Sequence, residues 1–259
     1  MKQLENIIIP MGGLGKRFKK YKFNTIKPLI QIDDKCILEK SMMYLPKAKN
    51  MYFVIKKNIF KKSRVLKKIA KEKNVKFFFL NSNTLGQADT ISQVQKKLPI
   101  NEESIIHSCD YILKFNIDYF IKLKKKCDVI IFSTKLKSQI VNNYSDYAYC
   151  KIKNKDNVIK IVEKRTISNN PANDYAVTGT FWFNKISDCI KSQEISLKRK
   201  NLVNNEYYIA NNINNLINNG LKVKIMPVNY WINLGDYFGL QEYIYWKNFF
   251  IKNTELRRC

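Results

Sequence analysis

Three glycines in four positions follow the first apolar run of the chain. Asn6 to Pro10 reads as a buried strand, and Met11-Gly12-Gly13-Leu14-Gly15-Lys16-Arg17-Phe18 comes directly after it, with Lys27-Pro28-Leu29-Ile30 downstream. Glycines in a turn after a strand let backbone N–H groups come close to a phosphate, because no Cβ stands between them. Arg17 and Lys27 can add charge to the same phosphates. Two other phosphate loops are excluded. G-x-x-x-x-G-K-[ST] is absent, and a dinucleotide turn needs a third glycine where Phe18 stands. Taken alone, the segment also fits a tight turn flanked by solvated basic side chains.

Other chemistry-bearing residues are few. Asp110 ends the strand-like run Ser104 to Cys109, where a carboxylate serves as a metal ligand or as a strand-end cap. The single histidine, His107, lies inside that alternating apolar strand and reads as a core residue. Six widely spaced cysteines form no CxxC pair, so no structural zinc is expected and they read as core thiols in a reducing compartment. Cys259 lacks the three following residues of a prenylation box.

These residues need a scaffold, and the pattern supplies one. Strand-like runs at 6–10, 51–55, 75–80, 104–109 and 128–134 alternate with helical ones at 61–73, 86–98 and 116–126. That rhythm predicts an α/β fold with a mainly parallel sheet covered by helices on both faces. The second part predicts a hairpin from strands 147–152 and 158–162, a strand over 175–183, a polar helix over about 206–218 that stops at Gly220, a strand over 221–228 and an aromatic closing helix over 238–250. No linker forces a break. The expectation is one domain over 1–259, in two parts of about 1–135 and about 136–259.

The glycine turn has company in the right order. G-G-x-G-x-R-F with K-P-L-I resembles the signature of the sugar nucleotidyltransferase (NDP-sugar pyrophosphorylase) family. Leu85-Gly86-Gln87-Ala88 looks like that family's base-contacting segment, and Ser108-Cys109-Asp110 its metal-binding strand end. Asp146-Tyr147-Ala148 and Val162-Glu163-Lys164 resemble its sugar-contacting strands, Tyr175 to Phe181 its Y-A-x-T-G strand, and Asn205-Glu206-Tyr207 with Asn212 its acidic helix start. Trp231-Ile232-Asn233-Leu234-Gly235-Asp236 resembles W-x-D-x-G-T.

The resemblance implies a Rossmann-like mixed sheet and Mg²⁺-dependent condensation of an NTP with a sugar 1-phosphate, releasing pyrophosphate. It implies that Gly12, Gly13 and Gly15 cradle the nucleotide, that Arg17 holds the departing β- and γ-phosphates, and that Lys27 bridges the α-phosphate and the incoming phosphate. Gln87 would read the base, and Asp110 with Asn233 would hold the metal. Glu163, Lys164, Thr178, Gly179 and Glu206 would shape the sugar pocket. A cytoplasmic enzyme supplying polysaccharide precursors is the corresponding expectation.

There are departures. Asn233 stands for the usual aspartate, Asp236 for threonine, and Ala148 for a common glycine. They leave the acceptor open, a cytidylyltransferase acting on phosphocholine or a similar phosphate being one alternative, and the high positive charge motivates another, a non-catalytic nucleotide- or nucleic-acid-binding protein.

The charge, 47 Lys plus Arg against 21 Asp plus Glu for a net +26, is spread along the chain. It reads as compositional bias, and a nucleic-acid partner is not expected. No apolar run suits a membrane span, and the N-terminus lacks a signal-peptide pattern. The aromatic closing helix offers a surface for a homo-oligomer.

Overall fold

The computed structural model describes residues 3–13, 18, 21, 23, 25–138, 141 and 143–253. Strand β1 (Leu4–Pro10) is central. Ile7, Ile8 and Ile9 are all fully buried, as a strand covered on both faces demands. Parallel to β1 run β4 (Ala48–Lys56) on one side and β6 (Ser104–His107) on the other, and β5 (Val75–Leu80) adds outside β4. Two short strands, β2 (Gln31–Ile32) and β3 (Lys35–Cys36), pair with each other apart from the main sheet.

Beyond β6 the pairing turns largely antiparallel. Strand β11 (Tyr175–Phe183) lies between β6 and β8 (Val129–Lys135), antiparallel to both. Strand β12 (Val223–Pro227) is parallel to β8, and the hairpin β9 (Ala148–Lys153) with β10 (Asn157–Glu163) closes the far edge. The order is β5-β4-β1-β6-β11-β8-β12-β10-β9 in one mixed sheet containing strands from both halves of the chain. A separate ribbon joins β7 (Tyr111–Lys114) to β13 (Tyr230–Asn233).

Alternate side chains of the sheet enter different cores. Ile8 packs with α4 (Gln87–Ser92), α6 (Ile186–Lys198) and α7 (Ile209–Asn218) through residues such as Ile91, Cys189 and Ile213. Ile7 and Ile9 face the other side, with α1 (Ile37–Met42), α3 (Arg64–Ile69) and α5 (Ile117–Leu123) through Leu38, Leu66 and Phe120. A third, small core of Phe18, Ile30, Ile37, Ile112, Leu234 and Leu240 seats α8 (Tyr237–Lys252).

The structure alters several expected elements. The helix expected over 61–73 is two: α2 (Lys57–Lys62) ends where Ser63 becomes extended, and the Ser63 hydroxyl accepts from the Leu66 N–H to cap α3. The helix expected over 86–98 holds only to Ser92 before looser turns. Helix α6 was not legible because its buried face includes Ser192, Gln193 and Ser196, which blur the apolar period. Helix α7 begins at Ile209 rather than near Glu206. Asn204 and Asn205, both at positive φ, make a tight turn closed by reciprocal bonds between Val203 and Glu206.

Candidate active site

The carboxyl ends of the parallel strands β1, β4 and β6 meet where the chain order reverses direction across the sheet, the usual crevice for a ligand in such folds. Asp110 sits just past β6. The Lys27 ammonium, held at the start of a single 3-10 turn (Lys27–Leu29), bonds to Asp110 Oδ2 and lies 3.5 Å from the Gly235 carbonyl. The Ser108 hydroxyl donates to Asp110 Oδ1 at 2.6 Å.

The β7–β13 ribbon brings the second half of the chain here. Its register sets Asn233 opposite Tyr111, so Leu234 N–H donates to the Asp110 carbonyl at 2.9 Å. Asn233 Oδ1 accepts from Gly235 N–H at 2.8 Å, and Asn233 Nδ2 donates to Asp236, whose other oxygen caps α8 by accepting from Gly239 N–H at 2.9 Å. Gly235 is required by close approach: a Cβ there would stand 2.5 Å from Asp110 Oδ2 and 3.1 Å from Asn233 Oδ1. Asp110 Oδ2, bonded to Lys27, and Asn233 Oδ1, bonded to the Gly235 N–H, thus lie on the same side of Gly235, and both are hard oxygens of the type Mg²⁺ prefers.

The glycine turn lies beside this corner. Met11 N–H bonds the Val54 carbonyl at 2.8 Å, and a Cβ on Gly12 would meet the Thr84 and Thr90 hydroxyls at 2.5 Å each. Gly13 is open on its Cβ side. Gly15 and Arg17 fall outside the described residues. Thr90 also bonds the Gly86 carbonyl at 2.9 Å, which ties the glycine turn to the start of α4. There Gln87 keeps its Nε2 buried with no hydrogen-bond partner among the described residues.

On the other side of β6, Gly179 lies in an irregularity of β11 with φ +80°, against Ser108 and the Tyr111 ring. Thr178 is fully buried, and its hydroxyl donates to the Phe132 carbonyl at 2.9 Å.

Glu163 ends β10 opposite Ala148 and is buried, with Oε2 unpaired among the described residues. Burial pushes its pKa up to about 7, against the lowering influence of Lys164, and Glu206 adds to the rise. Lys164 itself bonds the Asp146 carbonyl and lies 5.5 Å over the Tyr208 ring.

One polar hollow, about 480 Å³, lies at the opposite pole beside Asn101, Asp128 and Gly220, and no candidate residue lines it. Another, about 370 Å³, opens past β4 and β5 along Lys56, Asn83 and Leu80, the last of which stands against Gly12.

A family model described as nucleotidyl transferase matches residues 6–245. The chain belongs to this family. Comparison with curated proteins finds no match. Among solved structures, the chain is similar to the nucleoside-diphosphate-sugar pyrophosphorylase from Vibrio cholerae RC9, with TM-score 0.76, 19% identity, and 92% of this chain and 99% of that chain covered. It is also similar to the inositol-1-phosphate CTP transferase from T. maritima, with TM-score 0.66, 14% identity and coverage of 92% and 91%. HddC from Yersinia pseudotuberculosis gives 0.66, 18%, and 93% and 98%. At these identities the likeness establishes the mixed α/β fold, and the family model establishes a nucleotidyltransferase.

Within this nucleotidyltransferase, Lys27, Asp110 and Asn233 come together, with Gly179 against Ser108 next to Asp110. Gly12 and Gln87 share a second neighbourhood, and Glu163, Lys164 and Glu206 a third. Glu206 is exposed at the closing position of its turn, opposite Val203, rather than on a helix start, and Asn212 is buried between α7 and α6, bonded to Gln193 and Ser196.

Sequence reasoning passed over Thr84 and Thr90. Their only signal is that Thr90 falls one helical turn after Gly86. His107, with Nδ1 2.9 Å from Thr180 Oγ1, is pushed by burial down to a pKa of about 4 and is neutral at physiological pH. Burial likewise pushes Cys109, Cys127, Cys150 and Cys189 up to about 12, and such thiols are unreactive. Among the described residues, no helix is long and apolar enough to cross a membrane.

Proposed function

We propose that this nucleotidyltransferase condenses an NTP with a sugar 1-phosphate in the cytoplasm, giving an NDP-sugar for polysaccharide assembly and releasing pyrophosphate. The observation that carries the reading is the Lys27–Asp110 pair at the carboxyl edge of the parallel strands, beside a turn that admits no side chain at Gly12. The acceptor's phosphate oxygen is anionic at neutral pH, so the attack on the α-phosphorus needs no general base. This is consistent with a histidine locked in the core. The new bond forms to the α-phosphorus as the bond to the bridging oxygen breaks, and the pyrophosphate carries that electron pair away.

The obstacle is bringing two polyanions together, and positioning with charge stabilisation meets it. Lys27 exchanges Asp110 for the α-phosphate and the incoming phosphate. The N–H groups of Gly12, Gly13 and Gly15 cradle the nucleotide, and Arg17 takes the β- and γ-phosphates. Asp110 and Asn233 are the oxygen donors for Mg²⁺, which when bound supplies neutralising charge at the phosphates. Gln87 offers its unpaired amide to the base. Glu163 offers its unpaired oxygen to an acceptor hydroxyl, on a wall completed by Gly179, Lys164 and Glu206, with the buried Thr178 packed behind it rather than facing the acceptor. Residues 1–135 thus serve the nucleotide, and about 136–259 the acceptor, with Asn233 crossing to the metal corner.

A choline-bearing acceptor is disfavoured, because the Tyr208 face nearest Lys164 already carries the chain's own ammonium group. The test is pyrophosphate release with Mg²⁺ for each common NTP against a panel of sugar 1-phosphates, inositol 1-phosphate and phosphocholine. Release with a sugar 1-phosphate supports the reading. Release only with phosphocholine or inositol 1-phosphate replaces the acceptor, and absence of NTP binding overturns the reaction.

A further inference from the structure

Helix α8 has its apolar anchorage at one end only. Of its 16 residues Leu240 alone is fully buried, in the small third core, with Tyr243 and Ile244 partly buried against it. From Tyr245 onward the helix projects. Tyr245, Trp246 and Phe249 are 63%, 46% and 36% exposed, and Phe250 and Ile251 are exposed beside them. Trp246 holds ring contacts with Tyr245 at 5.4 Å and with Phe249 at 5.7 Å. The one-turn spacing of Tyr245 and Phe249 places both on one face. Lys247, which pairs with Asp33, lies on the opposite face, Lys252 continues the aromatic face one turn beyond Phe249, and no acidic residue occurs from Tyr243 to Asn253.

We propose that this projecting end of α8 docks on a membrane surface rich in anionic lipid, with Tyr245, Trp246 and Phe249 in the interfacial layer and Lys252 at the headgroups. Tryptophan and tyrosine favour that layer, where an apolar ring and a polar edge are both accommodated. A helix end with aromatic residues on one face and lysines beside it lies in the plane of the interface rather than spanning it.

Charge decides between lipid and a second copy of the chain. A two-fold contact through this face would bring together two copies that each carry Lys252 on it and a net charge of +26, whereas an anionic leaflet attracts them. Size points the same way. Two helical turns, about 12 Å long, present much less than the roughly 800 Å² per partner of a standard protein interface.

The protein carries its own reporter, because Trp182 and Trp231 are 1% and 5% exposed and Trp246 is the tryptophan that faces solvent. The experiment adds vesicles of phosphatidylcholine, alone or mixed with phosphatidylglycerol, to the full-length protein. It reads tryptophan emission and co-sedimentation at low and high salt. The expected result is a blue shift and co-sedimentation with the mixed vesicles only, weakened by salt. Binding by Tyr245→Ser/Phe249→Ser should be at least about tenfold weaker, with circular dichroism and pyrophosphate release in solution unchanged. Trp246→Phe should lose the emission change and keep co-sedimentation.

Failure to bind the mixed vesicles overturns the proposal, as does binding that the double serine variant leaves intact. A dimer by light scattering that the same variant converts to monomer also overturns it, assigning the face to a second copy.

Discussion

Two corners of the proposed site treat their polar groups in opposite ways. At the phosphate corner Lys27, Ser108, Asp110, Asn233, Gly235 and Asp236 are bonded to one another. At the acceptor corner a buried oxygen of Glu163 has no hydrogen bond among the described residues, and burial has raised its pKa to about 7. A closed network of charges holds its geometry before substrate arrives and answers a phosphate by exchanging partners. An unpaired buried carboxyl is costly, and a ligand hydroxyl within reach would supply the missing partner. The first corner should therefore govern turnover, and the second should govern acceptor affinity.

The largest effect should come from Asp110→Asn, which keeps shape and removes charge. Turnover should fall on the order of 10³-fold, the equivalent of several kcal/mol of phosphate charge stabilisation, and added Mg²⁺ should not restore it. Unchanged turnover would remove Asp110 from the metal role. Next comes Lys27→Ala, expected to lower the rate on the order of 10²–10³-fold with a smaller change in acceptor KM. A loss below about tenfold would make Lys27 a structural partner of Asp110 and collapse the contrast between the corners.

Glu163→Gln should do the reverse. Acceptor KM should rise roughly 10- to 100-fold, from one charged hydrogen bond worth about 1.5–3 kcal/mol, while kcat changes little. Stability provides an independent readout. The unfolded carboxyl titrates near 4.5 and the folded one near 7, so the folded state holds the extra proton between those values. The stability this contributes is complete below pH 4.5 and is lost as pH rises to 7, on the order of 3 kcal/mol in all. Glu163→Gln should therefore melt higher than the parent at pH 8, by about 2–4 °C per kcal/mol, and equally near pH 4. Equal melting at both pH values with an unchanged KM would show that Glu163 already has a partner in the empty protein.

What could be read from the chain alone follows from which forces are local. The apolar runs of β1, β8 and β11 and the glycines after β1 announce themselves, because a buried strand and a close backbone approach each constrain residue type directly. Asp110 was legible as the end of such a run. Helix α6 was not, since Ser192, Gln193 and Ser196 face Asn212 and Asn215 of α7 and interrupt the apolar period of α6, whereas Ile209, Ile213 and Leu216 keep that period in α7. Glu206 was misplaced because the positive φ of Asn204 and Asn205 outweighed the helical pattern beyond them, although paired asparagines are themselves a turn signal. The roles of Thr84, Thr90 and Asp236 depend on register between distant segments, which spacing along the chain does not encode.

Asp236 gives the finest test of the closed corner. The two departures from the family pattern, Asn233 for aspartate and Asp236 for threonine, are hydrogen-bonded to each other: the Asn233 amide donates to the carboxylate that caps α8. An aspartate at 233 would face that carboxylate with like charge and no donor, so the two substitutions make sense only as a pair. Asn233→Asp alone should destabilise the protein by about 1–3 kcal/mol, the cost of leaving a polar group without its partner, and should gain little in Mg²⁺ response. Asn233→Asp/Asp236→Thr removes the repulsion while threonine still caps the helix. It should recover the parent melting temperature and lower the Mg²⁺ concentration for half-maximal turnover by less than about tenfold, as one added carboxylate ligand would. Thermal melts and Mg²⁺ titrations of the two singles and the double form a complete cycle. Additive melting temperatures would mean that the two positions do not communicate, and the closed network of the phosphate corner would then end at Gly235.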